Sequence, residues 1–258
     1  MTKKNILLKN VLSALLLQVV CWMPAGAQGL YGDVNGDGVV NITDVNEVIN
    51  VILGGHTPTP PPADDHEWVD LGLPSGTMWA TCNVGANTPE EYGDYFAWGE
   101  TTPKDNYDWS TYKWCNGSKT SMTKYCANST YGADGFTDGK TELDPEDDPA
   151  YVNWGPSWRM PTFEQLQELM YKCTLTWTTK NGVSGRLVTG PNGNSIFLPA
   201  VGYRWGESFN DAGSCRYWSS KLYTEYSNRA YSLYFGTHLV WVTDDRRLGL
   251  SVRAVRVP

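Results

Sequence analysis

Five oxygen-bearing side chains fall within twelve residues near the start of the chain: Asp33, Asn35, Asp37, Asn41 and Asp44. Glycine occupies the sixth position of that stretch, Gly38, and valine the seventh, Val39. A chain that curls once brings the side chains at positions 1, 3 and 5 toward one point, and a glycine at position 6 permits the sharp turn. The carbonyl of Val39 would then face the same point, Asn41 would reach it directly or through a water, and Asp44 would close the shell. An all-oxygen shell of roughly six to eight ligands suits calcium. A metal-free turn rich in Asn, Asp and Gly is the competing reading, but five matches at fixed offsets favour calcium, held by Asp33, Asn35, Asp37, Val39, Asn41 and Asp44.

Two further groups could do chemistry. Glu90, Glu91, Asp94 and Glu100 cluster around Trp98, a composition compatible with paired carboxylates beside a sugar platform. Solvated surface acids are the simpler reading. Of the histidines, His56 and His66 lie in or beside a proline-rich stretch, leaving His238 alone as a partner for any nucleophile. The chain has no G-x-S-x-G, no H-E-x-x-H and no phosphate-cradling loop. A non-catalytic protein is therefore expected, with no catalytic residues and no organic cofactor. Aromatic residues make up 13% of the chain, including 12 Trp and 15 Tyr, so some rings are available for stacking on a ligand. Trp109, Trp114, Tyr203, Trp205 and Trp241 are the candidates, since they fall in or near loop-like segments; Tyr112, Tyr131, Tyr223 and Tyr226 share that setting.

These residues need elements to position them. Ile42, Val45, Ile49 and Ile52 repeat at helical spacing after the oxygen-rich loop, and Gly54-Gly55 ends that helix. Residues 56–65, HTPTPPPADD, form a stiff proline-rich linker. Beyond it, residues 66–258 read as a mainly β domain with one convincing helix. Strands are expected at 68–71 and 77–82, joined as a hairpin through Pro74-Ser75-Gly76, and at 94–98, 195–204, 216–220, 229–235, 239–243 and 250–257. Thr162 and Gln165 form a capping box ahead of Phe163, Leu166, Leu169 and Met170, so the helix runs to about Lys172. Residues 103–160 read as loop, a length that is either functional or held by its own packing.

The first 27 residues carry Lys3 and Lys4, an apolar run from about Val11 to Val20, and Ala25-Gly26-Ala27. This is the pattern of a secretory signal cleaved after Ala27, so the mature protein is expected to be secreted, periplasmic or held at the cell surface. Lipidation at Cys21 lacks the small residue usually found just before such a cysteine. No later segment is apolar enough to be transmembrane. The formal charge is −8, and cleavage would remove three lysines and no acid. Nucleic acid and anionic membranes are thus poor partners, leaving neutral glycans, cations and other proteins. Of the cysteines past the signal, Cys82, Cys115, Cys126, Cys173 and Cys215, only Cys115 and Cys126 are close enough in sequence to staple a loop; free buried thiols are equally compatible.

The segment GDVNGDGVVNITDVNEVINVILGG, with Asp rather than Glu at position 12 and an apolar helix after it, resembles the dockerin type I repeat. That resemblance implies calcium binding and docking to a cohesin-like partner. Dockerins carry two such repeats, whereas no second D-x-N-x-D-G occurs between Gly55 and Pro258. One loop–helix unit cannot bury its own apolar face and must pack on another domain, a partner or a second copy. WVDLGLPSGTMWATCNVGA (68–86), EYGDYFAWGETTPK (91–104), SWRMPTFEQLQEL (157–169), YWSS (217–220) and SVRAVR (251–256) resemble the Fibrobacter succinogenes major paralogous domain and the C-terminal domain of a Legionella collagen-like adhesin. They are also similar, more loosely, to C-type-lectin-like and sulfatase-modifying domains. This resemblance implies an α+β, C-type-lectin-like domain with a twisted antiparallel sheet, one main helix and long loops. It also implies that Trp79, Trp158 and Trp218, which sit in these motifs, are core. The calcium-coordinating tripeptide of C-type lectins is missing; Gly190-Pro191-Asn192 has no acid before its Pro-Asn pair. The late cysteine pair of the sulfatase-modifying enzymes is missing as well.

The expected organisation is a signal at 1–27, a dockerin-like calcium unit at 28–55, a linker at 56–65 and a binding domain at 66–258. Function is read as non-catalytic binding of a glycan or surface protein, with a cohesin-like partner for the calcium unit. The rivals are an accessory role in polysaccharide breakdown and, last, a glycoside hydrolase.

Overall fold

In the computed structural model the described residues are 44–45, 66–210, 213–235 and 239–256, the side chains of 239–241 excepted. The chain divides into two units, residues 1–61 and 62–258. Of the first unit, only Asp44 and Val45 are described; both are helical. The signal, most of the expected calcium loop and helix, and all of the linker lie outside the described residues.

The second unit is built from short antiparallel sheets, with two α-helices among the described residues. Strands β1 (Trp68–Asp70) and β2 (Met78–Ala80) form the expected hairpin, Val69 facing Trp79. The far edge of β2 is taken by the last strand, β11 (Val255–Arg256), with Val255 facing Trp79, so the two ends of the domain close on one sheet. Strands β3 (Thr174–Lys180), β4 (Val183–Thr189) and β5 (Ser195–Pro199) form a meander. So do β8 (Cys215–Leu222), β9 (Arg229–Phe235) and β10 (Leu239–Asp245). Between them lies a small hairpin, β6 (Tyr203–Trp205) and β7 (Ser208–Asn210).

Helix α1 spans Pro149–Trp154 and helix α2 Phe163–Lys172. The capping box of α2 is formed as its sequence dictates: Thr162 Oγ1 accepts from Gln165 N at 3.2 Å, and Gln165 Oε1 accepts from Thr162 N at 2.9 Å. Leu166, Leu169 and Met170 face inward against Leu71, Trp79, Val188, Leu198, Tyr217 and Phe235. The polar side of the helix ties down the β1–β2 turn, because Glu168 accepts from both the amide and the hydroxyl of Ser75.

A second core surrounds three indoles without any exposure, Trp98, Trp158 and Trp218. Their polar edges are satisfied: Trp98 Nε1 donates to Ser219 O and Trp218 Nε1 to Phe96 O, each at 2.8 Å. Trp79, Trp158 and Trp218 are all core, as read from sequence. A third core of Tyr95, Ala97, Tyr107, Tyr112, Met122 and Cys126 lies under the long irregular region. Residues 103–160 are thus held by their own packing and are not a free loop.

The sequence reading is corrected at several elements. Residues 94–98 form a single bridge, Phe96 to Leu250, rather than a strand. The 195–204 run breaks into β5 and the start of β6, and the 250–257 run pairs as a strand only at Val255–Arg256. Strands β3, β4 and β7 and helix α1 were not anticipated, so the expected single helix becomes two. All five cysteines past the signal are free thiols, Cys115 and Cys126 included. The mixed α and β character stands, with strands predominating.

Candidate binding face

Of the six residues assigned to calcium, Asp33, Asn35, Asp37, Val39 and Asn41 lie outside the described residues. Asp44 is helical and 2% exposed.

The carboxylates around Trp98 go separate ways. Glu100 is buried, held by Lys104 Nζ at 2.8 Å and by the amide of Lys113, also at 2.8 Å. Glu91 accepts from the amides of Asn87 and Thr88 and so stabilises a turn. Glu90 accepts from Asn181 at the tip of the β3–β4 hairpin, and that bond, ahead of its own backbone, holds its carboxyl below the usual range. Asp94 alone of the four opens onto a groove, and burial raises its pKa. Its position depends on Gly85, where φ is +82° and any Cβ would collide with the Asp94 carboxylate.

The groove has a volume of about 420 Å³ and is lined by Asp94, Tyr95, Lys104, Asp105, Tyr107, Arg204 and Glu207, with Gly93 and Pro103. One wall is the β6–β7 hairpin, whose Gly206 pairs with Tyr107 through N–H···O bonds of 2.8 and 3.1 Å. Strand alternation sends Arg204 to one face of that hairpin and Trp205 to the other. On the groove face, Arg204 lies over the rings of Tyr95 and Phe209, each 5.3 Å from the guanidinium. Phe209 in turn stacks on Tyr92 at 6.3 Å, and both rings remain over a third exposed. The floor phenols are already committed: Tyr95 donates to Val201 O, and Tyr107 to Tyr95 O. Burial pushes the Tyr107 hydroxyl up to about 12, so it stays a neutral donor.

Across the hairpin, Arg247 is clamped between Trp109 and Trp205, 5.4 and 5.6 Å from their ring centres, and is paired with Asp108 at 3.1 Å. Trp205 is 52% exposed. Two of the five aromatic candidates therefore meet here. Tyr203 shares the Trp205 face but is half-buried beneath Arg216, at 4.6 Å. Trp114 is elsewhere and half-buried; its indole donates to Gly99 O at 2.7 Å, and Lys113 and Lys124 stand over its ring. Trp241 pairs with Leu233 in β10, and its side chain lies outside the described residues. Tyr112 is buried and donates to Trp98 O. Sequence reasoning did not single out Arg204, Asp105, Glu207, Tyr92 or Phe209; Arg204 and Phe209 occur as Y-R-W and S-F-N around Gly206, an alternation that marks a tight hairpin.

Among the described residues one group of acids has metal-like spacing, Asp144, Glu146 and Asp147. Lys124 Nζ already stands among them, 2.7, 3.6 and 2.6 Å away. Burial works against that ammonium, but the bonds from Asp144, Asp147 and Tyr125 outweigh it and hold its pKa above the ordinary range. The Pro-Asn pair is structural: Asn192 donates to Asp70 O, and Gly190 lies so close to Leu71 that a Cβ would strike its carbonyl. No helix among the described residues is long and apolar enough to cross a membrane.

Residues 31–67 match the family model of the dockerin type I domain. Dockerin type I domains bind calcium and dock onto cohesin partners. Neither a curated protein nor a solved structure matches the chain. The matched stretch contains the oxygen-rich segment, the run expected to form its helix and the proline-rich linker, and it ends just before β1.

Proposed function

We propose that this protein is an exported, non-catalytic binding module that works outside the cytoplasm or at the cell surface. Its N-terminal unit binds one calcium ion through Asp33, Asn35, Asp37, Val39, Asn41 and Asp44 and docks onto a cohesin-like partner, while residues 66–258 engage a glycan. The dockerin type I match over residues 31–67 is the observation that carries the docking half. The binding half is supported by the β6–β7 hairpin, which sets exposed rings beside an open polar groove. Binding without turnover is favoured because Glu90, Glu91 and Glu100 are each bonded into the fold, leaving Asp94 without its expected partners. Recruitment to a polysaccharide-degrading assembly is the setting that the dockerin match favours for such a module.

The tests use the N-terminal unit and the mature chain. Residues 28–55 fused to an inert carrier should capture a cohesin in calcium and release it in chelator. A glycan array should report binding that survives the chelator and disappears when residues 66–258 are deleted. Turnover of a polysaccharide that stops in an Asp94→Asn variant would refute the non-catalytic assignment.

A further inference from the structure

We infer that the groove between the β6–β7 hairpin and residues 93–107 selects neutral glycans and excludes acidic ones. This rests on the glycan-binding reading above and names the ligand class of that same site. The groove presents three carboxylates, Asp94, Asp105 and Glu207, that make no hydrogen bond or ion pair among the described residues. Against them stands one unspent cation. The Arg204 side chain also has no hydrogen bond or ion pair there; its guanidinium lines the groove, 5.3 Å from the ring centres of both Tyr95 and Phe209. Lys104 does not add to the balance, because Glu100 and Thr111 O hold its ammonium at 2.8 to 3.0 Å. The free charge is therefore negative by two.

A sugar hydroxyl donates and accepts at once. Planar carboxylates that only accept and a forked guanidinium that only donates together complement a run of such hydroxyls. The exposed faces of Tyr92 and Phe209, stacked beside the groove, supply the apolar surface on which a pyranose lies. A peptide would need apolar pockets or a free strand edge, whereas this lining is polar and the Gly206–Tyr107 pairing occupies the hairpin tip. A uronate or sulfate brought into the groove meets three like charges for one guanidinium, and like-charge juxtaposition is the means by which interfaces reject wrong partners.

Calorimetry on the full mature chain decides it. The probes are cello-, manno- and xylo-oligosaccharides against oligogalacturonate and heparin fragments. At least one neutral probe should bind, with the acidic probes weaker by about tenfold or more at low salt. The Asp94→Asn, Asp105→Asn, Glu207→Gln triple variant should narrow that gap, and Arg204→Gln should weaken the neutral probe, with near-ultraviolet dichroism unchanged in both. Acidic probes that bind as well as neutral ones, or a triple variant that discriminates as the parent does, would overturn the selectivity while leaving glycan binding intact. If none of the probes binds, the glycan-binding reading falls with it.

Discussion

Side chains that end in oxygen decide most of what this chain can do, and their neighbours decide which of them are free to do it. Asp33→Ala removes the first of the proposed calcium ligands, so titration of calcium into that variant should give no heat where the parent gives a one-site isotherm. Phe209, stacked on Tyr92 beside the groove, is over a third exposed; replacing it with alanine should weaken the glycan that binds the parent by about tenfold, in keeping with an aromatic anchor. Asp148 gives a pH prediction. It accepts from the amides of Ala150, Tyr151 and Met160, yet burial is the larger influence and pushes its carboxyl up to about 6. An acid whose folded-state pKa is raised loses protons later than in the unfolded chain. Its contribution to stability is therefore full below about pH 4 and falls as pH rises through about 6. Melting temperatures measured between pH 4 and 7 should show that decline, and Asp148→Asn should flatten it while lowering stability at every pH, since one amide would then face a donor. At this scale the core positions of Trp79, Trp158 and Trp218 were legible from the motifs that hold them. The fate of Glu100 was not, because Lys104 and the Lys113 amide reach it only in the folded chain.

Elements were legible where local chemistry dictates them. Helix α2 announces itself through Thr162 and Gln165, and removing the cap with Thr162→Ala should cost about 1 kcal/mol in denaturant unfolding. The β1–β2 hairpin and strand β9 follow from alternation next to turn residues. Strands β3 and β4 were missed although their signal is present: Asn181-Gly182 joins two β-rich runs, and both residues take positive φ, 47° and 83°, as the tightest hairpin turns require. Helix α1 was missed because its six residues are too few to show a period; only Asp148 at the cap and Pro149 in the first turn mark it. The groove could not be read from sequence at all. It needs the 93–107 segment and the hairpin a hundred residues later brought together through the Gly206–Tyr107 pairing, and no local pattern encodes that approach.

For the whole second unit, one buried cation joins what the sequence leaves apart. Arg246 has no exposure; it donates to Tyr112 Oη at 2.8 Å and to the carbonyls of Lys124, Tyr125 and Ser227, and it lies against the rings of Trp98, Tyr112 and Tyr125. It thereby fastens the long irregular region to the β9–β10 sheet. Arg246→Met keeps much of the volume but strands several carbonyls, each costing about 1–3 kcal/mol when left unpaired and buried. Urea unfolding of residues 66–258 should show a loss of at least that size, and a variant as stable as the parent would contradict this account. Lys124, among Asp144, Glu146 and Asp147, has a different consequence. The domain carries its own covalently tethered counter-ion where a loose one could have lodged, so stripping divalent ions from solution should leave its melting curve unmoved. Any calcium-induced change seen in the intact protein is then a signal from the N-terminal unit, and the two halves can be followed independently in one sample.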